Sequence, residues 1–413
     1  MMFLSFGIDA FIVFGLFIIL LLVLMIIKPW NWHRKVKIIV NQSVAFEVAS
    51  GNTLLKTLAQ KNIFLPSSCG GNGICGMCQC KVLEGGGKVH QPESNVLTKD
   101  EFAENWRLGC QVKVNENLII ELPDEIFGIR EYNCTVISNR NVSTFIKEIV
   151  LKLPHSQSIK FKSGSYIQIN TPKIEVDFAS DIEVEGSFRS EWDKLNLWSL
   201  KMKNSKALIK PYSLANPPEE DNIVILNARI SLPPFDVKTE KFSNVNPGIS
   251  SSYLFSRKPG DSVTLSGPYG DFHIKQTDRE MMFIGGGAGM APMRSHLFHL
   301  FHSEKTNRKT SFWYGGRSKN DLFYQEEFME IQSAFSNFSF NVALSEPKAS
   351  DNWEGYKGFI HQVILENYLN QHKDPQLIEY YICGPPLMNS AVLKMLASLG
   401  VKDEMIAFDD FGS

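Results

Sequence analysis

The chain has 413 residues, 44% of them apolar, which is enough for two to four domains each with its own core. Its 42 Lys and Arg are balanced by 44 Asp and Glu, and no long basic run occurs in the body, so no electrostatic footprint for nucleic acid is present. Of the seven cysteines, five fall between residues 69 and 110, a crowding that suits reduced thiols and metal ligation in a reducing compartment better than a secreted disulfide framework.

In chain order, the first element is apolar. From Ala10 to Ile27 there are 18 uninterrupted apolar or small residues, about one helical bilayer crossing, with Trp30 and Trp32 where interfacial aromatics belong. A cleaved signal peptide needs positive charge before the apolar stretch and a small-residue cleavage site after it, and neither is present. Lys28, Arg34, Lys35 and Lys37 follow the span and no Lys or Arg precedes it, so the positive-inside rule puts the body on the cytoplasmic side of a single-pass membrane anchor covering residues 1–34. Asp9 reads as a solvated end residue.

KVKIIV and VAFEV flank the turn Asn41-Gln42-Ser43 and predict a hairpin, and TLLKTLAQKN has helical periodicity. The loop CGGNGICGMCQC follows, and Cys110 is expected to open a further strand. Cys69, Cys75, Cys78 and Cys110 have the spacing C-x5-C-x2-C-x31-C. Four thiolates converging on an inorganic iron–sulfur core need a glycine-rich loop that folds round it and turns amides toward the sulfurs. Zinc also takes four thiolates, but its ribbons usually present two separated C-x2-C knuckles. Counting by twos through QCKVLEG puts Cys80 and Val82 on one strand face, so Cys80 reads as a core hydrophobe and the spare thiol. Residues 35–126 resemble the [2Fe-2S] ferredoxins, which implies an α+β, β-grasp domain with the four spaced cysteines as metal ligands. The first gap, five residues instead of the plant-type four, resembles the adrenodoxin-like variant.

From 129 to 275 short β-type runs such as SYIQI, IVILNARI and SVTLSGP predict a small antiparallel barrel, with a charged insertion near 174–206. Trp192 and Trp198 in that insertion either mark a partner surface or pin it to the barrel. Lys210-Pro211-Tyr212-Ser213 resembles the R-x-Y-S signature of the ferredoxin-reductase flavoproteins, and the resemblance implies FAD. In that family the cation contacts the pyrophosphate, the aromatic ring packs on the flavin and the hydroxyl reaches its redox edge. Lys for Arg keeps the charge and loses the planar fork, so the phosphate would rely more on backbone amides. Gly248, Ser250 and Ser251, at the start of a short helix, would offer amides and hydroxyls to the same pyrophosphate. SGPYGDF, residues 266–272, resembles the family's barrel end.

Residues 276–413 alternate strand and helix, which predicts a parallel sheet covered on both faces. FIGGGAGMAPMRS runs a strand into Gly285, Gly286, Gly287 and Gly289, with Pro292 in the first helical turn, a geometry that lays a pyrophosphate on free amides. It is not the G-x-G-x-x-G fingerprint of dehydrogenases. It resembles the nicotinamide-binding domain of the same flavoproteins, which implies Tyr314 to Ser318, including Arg317, by the adenosine, and Cys383-Gly384-Pro385-Pro386 by the nicotinamide. There the uncharged thiol of Cys383 would act with Tyr212 and Ser213 at the reacting centre; the alternative is a buried strand-end cysteine. Phe411 in the tail is the candidate for covering the flavin face, against a tail without a role. His296, His299 and His302 recur every third residue and drift round a helix, which argues for a mixed face over a zinc site.

The order of anchor, ferredoxin, FAD barrel and nicotinamide domain resembles the F subunits of sodium-translocating NADH:quinone oxidoreductases, with EWDKLNL and the DDFG tail as supporting stretches. The resemblance implies a bacterial inner-membrane protein that oxidises NADH through FAD, passes electrons singly to a [2Fe-2S] cluster and on to membrane partner subunits leading to quinone, the sodium route lying in those partners. A membrane-tethered NADH-dependent reductase that supplies an oxygenase shares the domain order, and a zinc-binding interaction module without catalysis is the alternative from another class.

Overall fold

The computed structural model describes residues 14–19, 34–67, 69–236, 238 and 241–409. Most of the apolar span Ala10–Ile27 lies outside these, as do Phe411 and the rest of the tail; residues 14–19 are helical, and among the described residues no helix is long and apolar enough to cross a membrane. The chain divides into two compact units, residues 1–128 and 129–413.

In the first unit, β1 (Lys35–Val40) and β2 (Val44–Ala49) form the expected hairpin. Asn41 and Gln42 take left-handed φ of 47° and 55° in the three-residue connection, whose last residue, Ser43, closes the turn with its amide on the Val40 carbonyl at 3.1 Å. Val36, Ile38 and Val40 point inward while Lys35 and Lys37 point out, so alternation sets the register. The sheet also contains β3 (Gln79–Glu84), β4 (Trp106–Leu108) and β5 (Leu118–Glu121), in the order β2-β1-β5-β3-β4, with β1 and β5 parallel. Helix Leu54–Ala59, capped by Thr53, packs Leu54 and Leu58 into the core before the chain enters the cysteine loop. Cys110 does not open a strand. β4 ends at Leu108, and Gly109 turns the chain with its amide on the Cys78 carbonyl at 2.8 Å, which aims Cys110 back at the loop.

The second unit begins with an antiparallel sheet of β6 (Arg130–Ser143), β7 (Ile146–Lys152), β8 (Tyr166–Thr171), β9 (Leu208–Ser213), β10 (Ile223–Arg229) and β11 (Ser262–Tyr269), in the order β9-β8-β11-β6-β7-β10. The edge strands meet through a bridge between Leu214 and Leu226 and the amide of Ala215 on the Ile225 carbonyl at 2.8 Å, so the sheet closes into a barrel. The insertion adds a ladder of Glu175–Asp177 with Lys201–Lys203 and helix Gly186–Lys194. Trp192 settles which role its residue plays: fully buried among Phe178, Trp198 and Phe255, it donates its indole N–H to the Thr144 carbonyl at 2.8 Å and pins the insertion to the barrel.

The rest of the second unit is a parallel sheet of β12 (Met281–Gly286), β13 (Thr310–Gly316), β14 (Phe338–Leu344), β15 (Tyr356–Lys357), β16 (Glu379–Cys383) and β17 (Ile406–Asp409), in the order β15-β14-β13-β12-β16-β17. Alternate residues serve opposite cores. Met281, Phe283 and Tyr381 meet helices Met290–Phe298 and Gln325–Ala334 on one face. Met282, Ile284 and Tyr380 meet Ile360–Asn367 and Pro386–Ser398 on the other. This explains why the strands read as continuous apolar runs.

Candidate functional site

In the first unit the cysteine loop brings four thiols together as two pairs. Gly70, Gly71, Gly73 and Gly76 all have φ between 65° and 90°, which L side chains rarely adopt, and this lets the loop turn its amides inward. Burial would push the Cys69 thiol up, but the amides of Ile74 and Cys75, the Cys75 thiol and the Gly71 amide bring it down to about 6. Cys78 and Cys110 form the second pair. Their mutual hydrogen bond raises Cys78 and lowers Cys110 to about 7, the Gln111 amide helping to lower the latter. Three thiols of the loop with Cys110 turned back toward them fit the four thiolates that a [2Fe-2S] cluster takes. Cys80 stands apart on β3, fully buried with its thiol toward the Arg107 carbonyl and pushed up to about 12 by burial, so it is a packed hydrophobe and no ligand.

In the second unit three cavities share walls at the C-terminal edge of the parallel sheet. The first, about 470 Å³, is lined by Lys210, Tyr212, Ser213, Gly248, Ser250 and Ser251. Helix Ile249–Phe255 starts here, so its first amides have no intrahelical partner and face the space. The two serine hydroxyls are already engaged: Ser250 with Thr171 at 2.7 Å, and Ser251 donating to the Gly248 carbonyl and accepting from the Ser231 amide, both at 3.1 Å. They fix the turn. A Cβ on Gly248 would lie 2.5 Å from Ser231 Cβ, so the turn closes only with glycine.

The second cavity, about 690 Å³, is lined by Gly286, Gly289, Gly384, Pro385 and Leu195 of the insertion among others, and the third, about 550 Å³, by Gly287, Arg317, Asp321, Phe359 and Leu387 among others. Gly285 lines none of the three; a Cβ there would press on Phe312 and Met293, so it is a packing glycine. Gly289 passes so close to β16 that a Cβ would sit 2.0 Å from the Cys383 carbonyl oxygen. The Tyr314 hydroxyl, fully inside, donates to the Gly287 carbonyl at 3.2 Å and fastens the glycine turn. Asp321 accepts from the amides of Arg317 and Ser318 at 3.2 and 3.0 Å and shapes the bend after β13.

Ser213, at the end of β9, donates its hydroxyl proton to Asp409 at 3.1 Å. Asp409 is the register partner of Cys383 on the neighbouring strand, so barrel and sheet converge on one spot. Cys383 is fully buried there and lines none of the three cavities; beyond it Gly384 lines the second and Pro385 the second and third. Two residues escaped the sequence: Asp409, whose role needs a partner 196 positions away, and Arg229, which lines all three cavities. A charge ending the apolar strand IVILNAR was the available signal for Arg229. His296, His299 and His302 diverge: His296 meets Ser163, His299 meets Glu219, and His302 lies against Phe298.

Fold and site together define a class, a [2Fe-2S] ferredoxin domain joined to a flavin and nicotinamide reductase. Residues 38–115 match the 2Fe-2S iron-sulfur cluster binding domain and residues 283–394 the oxidoreductase NAD-binding domain. A cytochrome P450 reductase from Amycolatopsis shares the fold with a TM-score of 0.62 and 22% identity, covering 91% of this chain and 98% of its own. The F subunit of the Na(+)-translocating NADH-quinone reductase of Actinobacillus succinogenes is 47% identical over 410 residues, 98% of each chain. Its counterpart in Serratia proteamaculans is 49% identical over 368 residues, 89% of each. The chain belongs to this family, the F subunits of Na(+)-translocating NADH-quinone reductases.

Proposed function

We propose that this chain is the subunit through which electrons enter a sodium-translocating NADH:quinone oxidoreductase, taking them from NADH through FAD to a [2Fe-2S] cluster and on to membrane partner subunits and quinone. The observation that carries the reading is the convergence of Ser213, Asp409 and Cys383 beside the glycine turn of β12, where a hydroxyl from the barrel meets the end of the nicotinamide-type sheet. FAD supplies the change from two-electron exchange with nicotinamide to one-electron exchange with iron–sulfur.

Each residue has a definite part. Lys210 and the amides at Gly248 to Ser251, which line one cavity, would hold the FAD pyrophosphate, and Tyr212 would pack against the ring. Asp409 fixes the proton of Ser213 at its Oγ, so the hydroxyl presents its lone pairs in one direction. Gly286, Gly287 and Gly289 would bring backbone amides to the NADH pyrophosphate, with Arg317 and its neighbour Ser318 at the adenosine end; Gly384 and Pro385 would face the nicotinamide with the buried Cys383 behind them. Cys69, Cys75, Cys78 and Cys110 would hold the [2Fe-2S] cluster. Phe411, outside the described residues, would be the residue that covers the flavin. The division of labour follows residues 35–126, 129–275 and 276–413, with residues 1–34 anchoring the chain to the inner membrane of a bacterium and the other domains on its cytoplasmic side.

An oxygenase-feeding reductase is the weaker fit: likeness to the P450 reductase at 22% identity speaks for fold alone, whereas identity to the F subunits is 47% over 98% of both chains. Anaerobic titration of the purified protein with NADH tests the route. Flavin and cluster absorbance should both bleach; a flavin that bleaches while the cluster stays oxidised at equilibrium sinks the proposal. Ser213→Ala should slow flavin reduction on the order of a hundredfold with KM for NADH little changed.

A further inference from the structure

Gln111 follows the fourth cluster cysteine directly and points its side chain back into the loop. Its Nε2 donates to Cys110 Sγ at 3.3 Å and to the Gly71 carbonyl at 3.4 Å. The amide thereby spans the two ends of the ligand set, because Gly71 belongs to the segment between Cys69 and Cys75. Room for it is provided by Gly73, where a Cβ would lie 2.7 Å from Gln111 Nε2. The loop's glycine at 73 and the glutamine at 111 therefore act as one device: an absent side chain that admits a specific donor to a specific sulfur.

Resting on the cluster assignment above, we propose that Gln111 is a positioning residue that sets the reduction potential of the cluster through its hydrogen bond to Cys110. Reduction adds one electron to the cluster, and the added negative charge is shared with the thiolate sulfurs. A fixed N–H dipole aimed at one of them stabilises the reduced form more than the oxidised form, and hydrogen bonds to the sulfurs are among the factors that set such potentials. The bonds formed and broken are unchanged between wild type and variant; only the free energy of adding the electron differs.

The test is a potentiometric titration of the purified full-length protein followed by the electron paramagnetic resonance of the reduced cluster, comparing wild type with Gln111→Leu and Gln111→Glu. Loss of the donor in Gln111→Leu should cut the ratio of reduced to oxidised cluster about tenfold at a given potential, which for one electron is a downward shift of about 59 mV. Gln111→Glu, which puts a carboxylate where the amide was, should shift it further in the same direction, while the flavin potential stays where it was. Equal cluster potentials in all three proteins overturn the proposal. So does a Gln111→Leu protein that assembles no cluster, because the bond would then be structural. A wild-type protein without the cluster signal instead removes the cluster assignment itself, which keeps the two failures distinguishable.

Discussion

At the scale of single residues, Cys78 and Cys80 are two positions apart, yet their surroundings oppose each other. Cys78 shares a hydrogen bond with Cys110 in the loop; Cys80 is sealed in the sheet with its thiol against a backbone carbonyl. Cys80→Val should therefore keep the visible absorption of the cluster at a cost of about 1 kcal/mol in unfolding free energy, and Cys78→Val should abolish that absorption. A colourless Cys80→Val protein would reverse the assignment. The period-two count through QCKVLEG was enough to separate these thiols, because strand side chains alternate whatever the rest of the fold does. The pairing of Cys69 with Cys75 and of Cys78 with Cys110 was not legible, since it depends on how Gly109 returns the chain to the loop.

At the scale of elements, the short helix Gln91–Ser94 and strand β4 are joined by a buried ion pair. Arg107 donates Nε and Nη2 to the two oxygens of Glu93 at 2.8 and 2.9 Å, and its other protons reach the carbonyls of Gly87 and Lys88. Glu93 also accepts from the amides of His90 and Leu108, at 2.9 and 3.1 Å. Every charge is satisfied, so removal of one partner leaves the other buried and uncompensated, and Glu93→Ala should destabilise the ferredoxin unit by about 3–5 kcal/mol. Burial works to raise the Glu93 carboxyl, but the guanidinium and the two amides outweigh it and hold the group below the usual glutamate range. A depressed folded value means that the contribution is complete above the ordinary carboxylate value of about 4.3 and is lost as pH falls through the folded value. Urea unfolding between pH 3 and pH 7 should show an acid limb in wild type that Glu93→Gln flattens; identical limbs would count against it. Nothing in the sequence joins Glu93 to Arg107, because neither a helical nor a strand period connects them.

At the scale of the whole molecule, each unit is described by its own core. In the larger unit the barrel and the parallel sheet are fastened through Tyr324, whose hydroxyl donates to Glu148 at 2.5 Å and accepts from Asn227 at 2.8 Å. Tyr324 pays for this place with φ at 58°, a left-handed conformation that costs a non-glycine residue about 1–2 kcal/mol. Arg294 lies 5.0 Å over its ring and donates to the Ala215 carbonyl at 3.0 Å, a second tie between the same two layers. Tyr324→Phe removes a hydrogen bond to a carboxylate and should lower the unfolding free energy of this unit by about 1.5–3 kcal/mol. Thermal unfolding read by the fluorescence of released flavin measures it, and an unchanged midpoint would show that the fastening lies elsewhere.

The sequence by itself determined the kinds of element and their order: the hairpin before the cysteine loop, the run of short barrel strands and the strand and helix alternation after 280; it also marked four cysteines by their spacing. These follow from local chemistry, since side-chain periodicity, glycine-rich turns and metal-ligand spacing are written within a few residues of one another. Tertiary structure alone decided that Ser213 meets Asp409, that Arg229 stands where three cavities join, and that the hydroxyls of Ser250 and Ser251 serve the turn. Those outcomes depend on barrel closure between Leu214 and Leu226 and on the parallel register of Cys383 with Asp409. Pairings across such distances arise only when whole elements pack, because what selects them is shared burial and not any pattern along the chain.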